Sequence, residues 1–301
     1  MDWLLPPPAP GHTPARALTI AGSDSGGGAG IQADMRTFAL TGVHGCVAVT
    51  AVTVQNSVGV TGVHTIPPET VAAQIESVVT DIGVLAAKTG MLASAEIIEA
   101  VATTCARLGI GADNTIPLVI DPVAASMHGD PLLRADALDA VREQLVPRAT
   151  VVTPNLDEVR LITGIEVIDA ASQRAAARAF LDLGARWALI KGGHLRESPS
   201  STDLLTNGTD EHEYTVERIP TGHDHGGGDT LAAAITCALA HGRDMPGAVE
   251  YAKRWVTECL RSAYPLGRGH GPVSPLWRLG QLAAGGPRSG PRKSTGNRQT
   301  R

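Results

Sequence analysis

The chain has little of what marks a small metal-binding or disulfide-stabilised protein. Aromatic residues make up only 3% of its 301 residues, and its four cysteines are widely spaced, with no C-x-x-C pair. Such spacing predicts buried, reduced thiols rather than disulfides or a zinc site. The N-terminus also lacks the basic start and the apolar run of a signal peptide. We therefore expect a cytoplasmic protein.

Charged residues are absent from Thr37 to Pro68. An uncharged stretch of that length could be mistaken for a membrane-spanning segment. However, it contains His44, Gln55 and Asn56 together with several glycines, which are poorly suited to contact with lipid. Buried strands and their connecting turns explain the stretch better, so we expect no contact with a membrane.

Basic residues are scarce in the body of the chain. The formal net charge is −5, although the segment 284–301 contributes five basic residues and no acidic one. Because so acidic a body argues against nucleic-acid binding, an anionic ligand would have to be held by backbone amides and a few placed cations. The segments 1–16 and 284–301 are predicted to be disordered, which leaves a single domain at 17–283.

Within that domain, short apolar runs rich in β-branched residues alternate with helical patterns. Uninterrupted apolar strands are typical of a parallel sheet that is covered on both faces by helices. We therefore predict one doubly wound α/β domain with a mostly parallel sheet. The predicted strands are Ala17–Ala21, Val47–Thr53, Val84–Lys88, Leu118–Asp121, Val151–Thr153 and Ala188–Lys191, followed by an edge hairpin of Asp203–Thr206 and Glu213–Val216. The predicted helices span 31–41, 68–81, 94–108, 134–145, 157–163, 170–183, 228–241 and 246–263.

Ligands of such sheets bind beyond the carboxyl ends of the strands. Glycine-rich or polar segments follow most of the predicted strand ends, so we expect them to converge on one rim of the sheet. These segments are Gly22–Gly30, Gln55–Asn56, Gly90–Met91, Asp121–Pro122, Thr153–Glu158 and Lys191–Gly193.

The most informative segment is Gly226-Gly227-Gly228-Asp229, which opens an alanine-rich helical run. Three glycines can present backbone N–H groups to an anion, and the helix start adds its positive dipole end. A tight turn would explain the glycines alone equally well. An acid directly behind an anion-binding turn, however, suits phosphoryl transfer to a hydroxyl, with Asp229 as base and the amides of 226–229 stabilising the transferring oxygens.

Two further acids follow strand ends. Asp121 ends an apolar strand, where a buried carboxylate needs a cation or a donor as partner. Glu158, one turn into a short helix after Asn155, could hold Mg²⁺ through water. For the segment 155–158 alone, ordinary helix capping by Asn155 is the better explanation.

The loop Gly22–Gly30 matches neither of two familiar nucleotide motifs. A phosphate-binding loop needs Gly-Lys-Ser/Thr, whereas residues 30–32 are Gly-Ile-Gln, and the second predicted strand carries no acid for a ribose. What remains is a backbone that approaches a small flat ligand, with Asp34 and Gln55 available beside it. Lys191 offers a cation to phosphates, and the His223–His225 segment, despite metal-like spacing, is assigned a structural or positioning role.

The segments 226–229 (G-x-G-D) and 155–158 (N-x-x-E) resemble those of the ribokinase-like superfamily of small-molecule kinases. Within it, the chain is similar to the hydroxymethylpyrimidine/phosphomethylpyrimidine kinase family of the thiamin pathway. The matches occur in the family's order over roughly residues 16–275, which is not expected by chance. They are Ala17–Asp24, Gly27–Asp34, Thr50–Asn56, Lys88–Leu92, Asp121–Val123, Gly129–Asp130, Thr153–Asn155, Lys191–His194 and Gly267–Pro272.

The resemblance implies ATP and Mg²⁺ as cofactors, a homodimer, and 4-amino-5-hydroxymethyl-2-methylpyrimidine and its monophosphate as substrates. It implies that Gln55 reads the edge of the pyrimidine and that Glu158 and Asp121 serve the metal. The remaining residues that it implicates fall into two groups. The pocket would be lined by Gly22, Ala29, Asp34, Met91 and Val123, and the nucleotide would be bound by Lys191, Asn155 and His225.

The glycine segment departs from one pattern of this family. Many members have Thr and Cys there, as His-Gly-Thr-Gly-Cys, whereas this chain ends the segment with Asp229. Aspartate at that position is what the wider superfamily uses, so the base is expected to be kept in a stronger acceptor form. Two other functions stay open at this point, a pyridoxal/pyridoxine kinase and a non-catalytic vitamin-binding protein on the same scaffold.

Overall fold

Apolar runs form a central eight-stranded sheet, and the segments between them form the covering helices. The computed structural model describes residues 3–112, 114–124, 135–193 and 199–285, without the side chains of 135–136 and 282–285. The strands are β1 (Arg16–Ala21), β2 (His44–Val49), β3 (Ala51–Asn56), β4 (Gly59–Thr65), β5 (Ala86–Thr89), β6 (Leu118–Ile120), β7 (Val151–Val152), β8 (Ala188–Ile190), β9 (Ser200–Thr206) and β10 (Glu211–Glu217). The helices are α1 (Gly30–Leu40), α2 (Pro68–Ser77), α3 (Ala95–Arg107), α4 (Ala135–Ala140), α5 (Leu156–Thr163), α6 (Ala170–Asp182), α7 (Gly227–Ala240), α8 (Met245–Arg261) and α9 (Trp277–Gly285). Single π-helical turns, Val78–Ile82 and Val141–Leu145, extend α2 and α4.

The strands of the main sheet lie in the order β10-β9-β8-β7-β6-β5-β1-β2. From β8 to β2 all neighbours are parallel, and β9 and β10 form an antiparallel pair at the other edge. The predicted mostly parallel sheet and its edge hairpin are therefore confirmed. The predicted elements match the observed ones to within a few residues, with one exception at β2 and β3.

Helices cover both faces of this sheet. Alternate residues of a strand point to opposite faces: Leu118 and Ile120 of β6 join a core that includes Ile98 of α3, whereas Val119 joins a second core that includes Trp255 of α8. All five of these side chains are buried. The doubly wound arrangement is thus built from uninterrupted apolar strands, as predicted.

The predicted strand Val47–Thr53 is wrong, because the chain leaves the main sheet at Thr50. The Thr50 side chain donates to the backbone oxygen of Met91, and its own carbonyl accepts from the amide of Ile66. These bonds end β2 at Val49 and turn β3 out of the sheet, where it pairs with β4 as a separate two-stranded antiparallel hairpin. The strand β4 was not predicted.

The N-terminal segment is partly packed on the domain. Leu5 is buried, and the Trp3 ring lies 5.6 Å from that of Tyr251 and stacks on Trp277 at 6.2 Å. The prediction of disorder for 1–16 therefore does not describe Trp3 and Leu5, which find apolar partners on α8 and α9. The predicted boundaries of the domain stay predictions.

Several sequence predictions fall on residues outside this description. The predicted basic tail, beyond the end of α9 at Gly285, is one of them, and Gly129, Asp130 and His194 are others. Within the described ranges, no helix combines the length and the apolar character needed to cross a membrane. All four cysteines are buried and free, which confirms the prediction of reduced thiols.

Candidate active site

The segments that follow the strand ends do converge. His225, before α7, lies 3.0 Å from Asp24 in the loop after β1 and 3.4 Å from the Gln55 amide of β3. On the same rim, the first turn of α7 brings Asp229 to within 3.8 Å of the Lys88 ammonium of β5. The predicted rim site is therefore formed by loops from several strands.

Two glycine loops pack directly against each other at this rim. A Cβ atom on Gly226 would lie 2.1 Å from the backbone oxygen of Gly28, and a Cβ on Gly28 would lie 2.2 Å from the His225 ring. Gly226 also has a φ of +75°, which disfavours other residues. Gly226 therefore requires glycine for close backbone approach, and Gly28 requires it to leave room for the His225 ring.

The start of α7 offers a small anion-binding surface. The amide of Gly227 donates to the backbone oxygen of Asp224, so it is already used in a turn. The amides of Gly228 and Asp229 have no acceptor within the described part of the chain. A Cβ on Gly228 would lie 3.4 Å from the Lys191 ammonium and 3.6 Å from an oxygen of Asp121, so both side chains lie beside the first turn of α7. The amide dipoles and the Lys191 charge favour an anion there.

Asp229 carries the carboxylate that directly follows these glycines in the chain. Its side chain is 15% exposed, and the backbone amide of Gly30 acts to lower its pKa. Burial raises the pKa of Asp229, while the nearby Lys88 ammonium opposes that rise and Asp121 adds to it. An acceptor with a raised pKa, partly open to the cleft, suits the role of general base.

Asp34 is corrected by the structure, since it was predicted to line the substrate pocket. Its side chain is fully buried, with one oxygen 2.8 Å from the Lys88 ammonium and the other accepting from Thr19 at 2.6 Å. Burial raises the pKa of Asp34, but two donors on its two oxygens are the geometry of an ionised carboxylate. Asp34 therefore lies behind the cleft and reaches it only through Lys88.

Asp121, Glu158 and Lys191 form a second charged cluster. The Lys191 ammonium lies 2.9 Å from Asp121 and 4.0 Å from Glu158. Burial raises the pKa of Glu158 to about 8, Lys191 opposes this, and Asp121 adds to it. Burial acts to lower the pKa of Lys191, but Asp121 and Glu158 raise it overall, so Lys191 stays charged.

This cluster fits a Mg²⁺ ion that keeps much of its water. Two carboxylates are too few for a fully protein-bound ion, and no group of three or more metal-binding side chains occurs among the described residues. Mg²⁺ prefers carboxylate oxygen and retains bound water, and a cation would stabilise the ionised form of Glu158. The Asn155 side chain caps α5 in a reciprocal pair with Glu158, as expected for this segment, and its role in binding the nucleotide stays a prediction.

Gly22, Ala29, Met91 and Val123 each contact or adjoin another residue of the rim. A Cβ on Gly22 would meet the Met91 side chain at 2.3 Å, so these two are in contact. Gly90 adjoins Asp229, and Val123 shares a small apolar cavity with Gly90. Ala29 precedes α1, and its amide donates to Asp24.

Sequence reasoning assigned no role to Asp24 or Lys88. Asp24 accepts from the amides of Gly26, Gly28 and Ala29 and holds the first glycine loop closed. An aspartate two residues before a glycine run was a usable signal for such a loop. A lysine at the end of an otherwise apolar buried strand was a comparable signal for Lys88, since a buried ammonium needs partners.

This arrangement defines a small-molecule kinase of the ribokinase-like class. Bacillus subtilis pyridoxal kinase in an ADP complex superposes with a TM-score of 0.80 and 36% identity, covering 88% of this chain and 98% of that one. Phosphomethylpyrimidine kinase from Clostridium difficile 630 superposes with a TM-score of 0.71 and 36% identity, covering 81% and 98%.

The family is defined more closely by sequence. The model of the phosphomethylpyrimidine kinase family matches residues 24–274. A hydroxymethylpyrimidine/phosphomethylpyrimidine kinase from Mycobacterium leprae is 66% identical over 278 residues, covering 91% of this chain and 98% of that protein. The chain belongs to the phosphomethylpyrimidine kinase family, which confirms the resemblance noted in its motifs.

Proposed function

We propose that this kinase transfers the γ-phosphoryl group of ATP to the hydroxymethyl oxygen of 4-amino-5-hydroxymethyl-2-methylpyrimidine. A second transfer, to the phosphate of the product, would give the diphosphate for thiamin biosynthesis. The observation that carries the proposal is the position of Asp229 beside unbonded amides at the start of α7. The family match and the similarity to an ADP-bound kinase support the choice of substrate and donor.

In the first transfer, Asp229 accepts the hydroxyl proton as that oxygen bonds to the γ-phosphorus, and the bond from phosphorus to the leaving ADP oxygen breaks. The amides of Gly228 and Asp229 hold the charge on the transferring oxygens. Lys191 neutralises phosphate charge beside them. Bound Mg²⁺ would supply further neutralisation of the phosphates, held through water by Asp121 and Glu158.

On the substrate side, Gln55 reads the polar edge of the ring, and His225 positions the loops around it. Gly22 and Ala29 allow close backbone approach, and Met91 covers the ring, with Val123 lining the apolar end of the pocket. Asn155 caps the helix that carries Glu158 and binds the nucleotide beside it. These roles rest on the contacts described for each residue.

Pyridoxal is the alternative acceptor, because the solved structure with a TM-score of 0.80 is a pyridoxal kinase. The sequence match favours the pyrimidine. ADP release should therefore be measured with the hydroxymethylpyrimidine, its monophosphate and pyridoxal in parallel. We expect the two pyrimidines to have the higher kcat/KM. A higher value for pyridoxal would replace this proposal, and no turnover of any acceptor would favour a binding protein.

A cytoplasmic homodimer is part of the same proposal. Val52 and Val54 of β3 are 48% and 63% exposed on one face of the hairpin, a surface that a second copy could cover. Light scattering coupled to size-exclusion chromatography should give twice the chain mass of 31.1 kDa. A monomer at micromolar concentration would remove the dimer from the proposal and leave the reaction unaffected.

A further inference from the structure

A lysine is buried directly behind the proposed base. Lys88 is fully buried at the end of β5, and its ammonium lies 2.8 Å from Asp34 and 3.8 Å from Asp229. Removing an ammonium from water is costly unless carboxylates compensate it. A neutral side chain would fill a strand core at lower cost, so the charge of Lys88 calls for an explanation beyond packing.

Asp34 fixes this ammonium in place. One oxygen of Asp34 accepts from Lys88 and the other accepts from Thr19 of β1. An ammonium has three protons, and Asp34 uses one, which leaves donors for the side that faces Asp229. A Cβ on Gly90 would lie 3.6 Å from the ammonium and 3.8 Å from the Asp229 carboxylate, so the glycine leaves the space beside the pair open.

We propose that Lys88 is a positioning residue for phosphoryl transfer: anchored by Asp34, it orients the Asp229 carboxylate and keeps that carboxylate ionised. The inference rests on the proposed role of Asp229 as base. Lys88 acts only through Asp229 and does not touch the reacting atoms. The other charged or titratable groups that influence Asp229 are Asp34 on α1, Asp121 after β6, Glu158 on α5, Lys191 after β8 and His225 before α7.

The charges around Asp229 make the direction of the effect clear. Burial and Asp121 raise the pKa of Asp229, and the strongest opposing influence is Lys88. Lys88 itself stays protonated, because Asp34, Asp229 and Asp121 outweigh the effect of burial and raise its pKa. Without that ammonium, Asp229 would hold its proton up to a higher pH and would be a poorer acceptor at neutral pH.

The test uses two variants with opposite expected signs. In the double variant Lys88→Met/Asp34→Asn neither member of the Lys88–Asp34 pair is left without its partner, and the acid limb of the kcat/KM profile should move up by about 1 to 3 pH units. In Asp34→Asn the Lys88 ammonium is compensated by one carboxylate fewer and favours ionised Asp229 more strongly. The acid limb of the kcat/KM profile should therefore move to lower pH. Protonation of the substrate is the same in every variant, so differences between profiles report the protein.

A matched control is available in the Lys253–Asp203 pair. Its ammonium lies 2.6 Å from Asp203, and the two side chains are only 8% and 5% exposed. The variant Lys253→Met/Asp203→Asn removes another buried pair, and its acid limb should stay at the wild-type pH. Asp203 also accepts the amide of Gly192, next to Lys191, so only the position of the limb is compared.

Each outcome bears on a different claim. Opposite shifts in the two variants, with an unmoved control, support the role of Lys88. Unmoved limbs, or equal shifts in the control, overturn it while leaving Asp229 as base. If the double variant does not fold, Asp34→Asn alone tests the role of Lys88: a downward shift of its acid limb supports the role, and an unmoved limb overturns it. If Asp229→Asn retains activity within about tenfold of wild type, the proposed base fails first and the inference fails with it.

Discussion

The Nε2 atom of His225 lies 3.0 Å from Oδ2 of Asp24, and this contact joins the two glycine loops of the cleft. Asp24 at the same time accepts three backbone amides of its own loop. One carboxylate therefore shapes the loop after β1 and ties it to the segment that carries the base. Asp24 thus links the loop after β1 to the glycine segment before α7.

Asp24→Asn should destabilise the protein by about 1 to 3 kcal/mol. The asparagine side chain has one acceptor oxygen, whereas the loop uses both carboxylate oxygens of Asp24. Burial raises the pKa of Asp24, but the bond to His225 and the loop amides lower it overall from 3.8. Its stabilising effect is therefore complete above that pH and is lost as the pH falls through the lower folded pKa.

Urea unfolding of wild type and variant should show this difference at pH 7 and a smaller one below about pH 3.8. Asp139→Asn is the control, because Asp139 is 69% exposed and pairs with Arg142 at the surface. Its effect should stay below about 0.5 kcal/mol. A difference for Asp24→Asn that is independent of pH would contradict the assigned role of the charge.

Asp229→Asn should lower kcat by about 10² to 10⁴ and leave ATP affinity nearly unchanged. The amide side chain keeps the size of Asp229 but cannot accept the substrate proton. Steady-state kinetics with the hydroxymethylpyrimidine, together with calorimetric titration of a nonhydrolysable ATP analogue, separates the two effects. A variant within tenfold of the wild-type rate would remove Asp229 from the role of base.

Gly226→Ala should cost more than a glycine replacement of the same backbone geometry elsewhere. Gly164, the C-cap of α5, also has a φ of +75°, but no atom lies within 4 Å of the position its Cβ would take. Gly164→Ala should cost about 1 to 2 kcal/mol and leave turnover unchanged. Gly226→Ala adds a clash with the backbone of Gly28, so it should be less stable and should also lose kcat.

Unfolding in denaturant and steady-state assays of both variants check this comparison. Equal losses of stability with unchanged turnover would mean that close packing of the two glycine loops has no part in catalysis. If Gly164→Ala lost more turnover than Gly226→Ala, backbone strain at the end of α5 would affect catalysis, which contradicts this prediction.

The sheet was predictable because its strands are uninterrupted apolar runs, and α3, α5, α6 and α8 begin at a capping side chain. Ser94, a residue type typical of helix starts, caps α3, and the pattern from 203 to 216 forms the predicted edge hairpin. The break at Thr50 was not predictable, since nothing in the run from 47 to 53 marks a change of sheet. That break depends on bonds from Thr50 to residues distant in sequence, Met91 and Ile66.

The site shows the same division. Glycines and acids after strand ends indicated the rim, because the topology of a parallel sheet gathers strand ends. The prediction placed Asp34 in the substrate pocket, whereas it lies behind the cleft. Its partners Lys88 and Thr19 lie on β5 and β1, and only the fold brings them to Asp34. Burial of a charged group depends on the whole structure, which a local pattern does not reveal.

Glu158 makes the demand for Mg²⁺ depend on pH. Burial raises its pKa to about 8, so the free protein holds a proton there at neutral pH that a bound cation must displace. The Mg²⁺ concentration for half-maximal rate should therefore fall as the pH rises from about 6.5 to 8.5 and level off above that. Glu158→Gln should need more Mg²⁺ throughout and lose most of this dependence, because it has no proton to release.

Asp157→Asn, a change at an exposed neighbour on the same helix turn, should behave like wild type. Mg²⁺ titrations of the initial rate at fixed ATP check all three proteins, and the same pH dependence in Glu158→Gln as in wild type would show that Glu158 does not serve the metal.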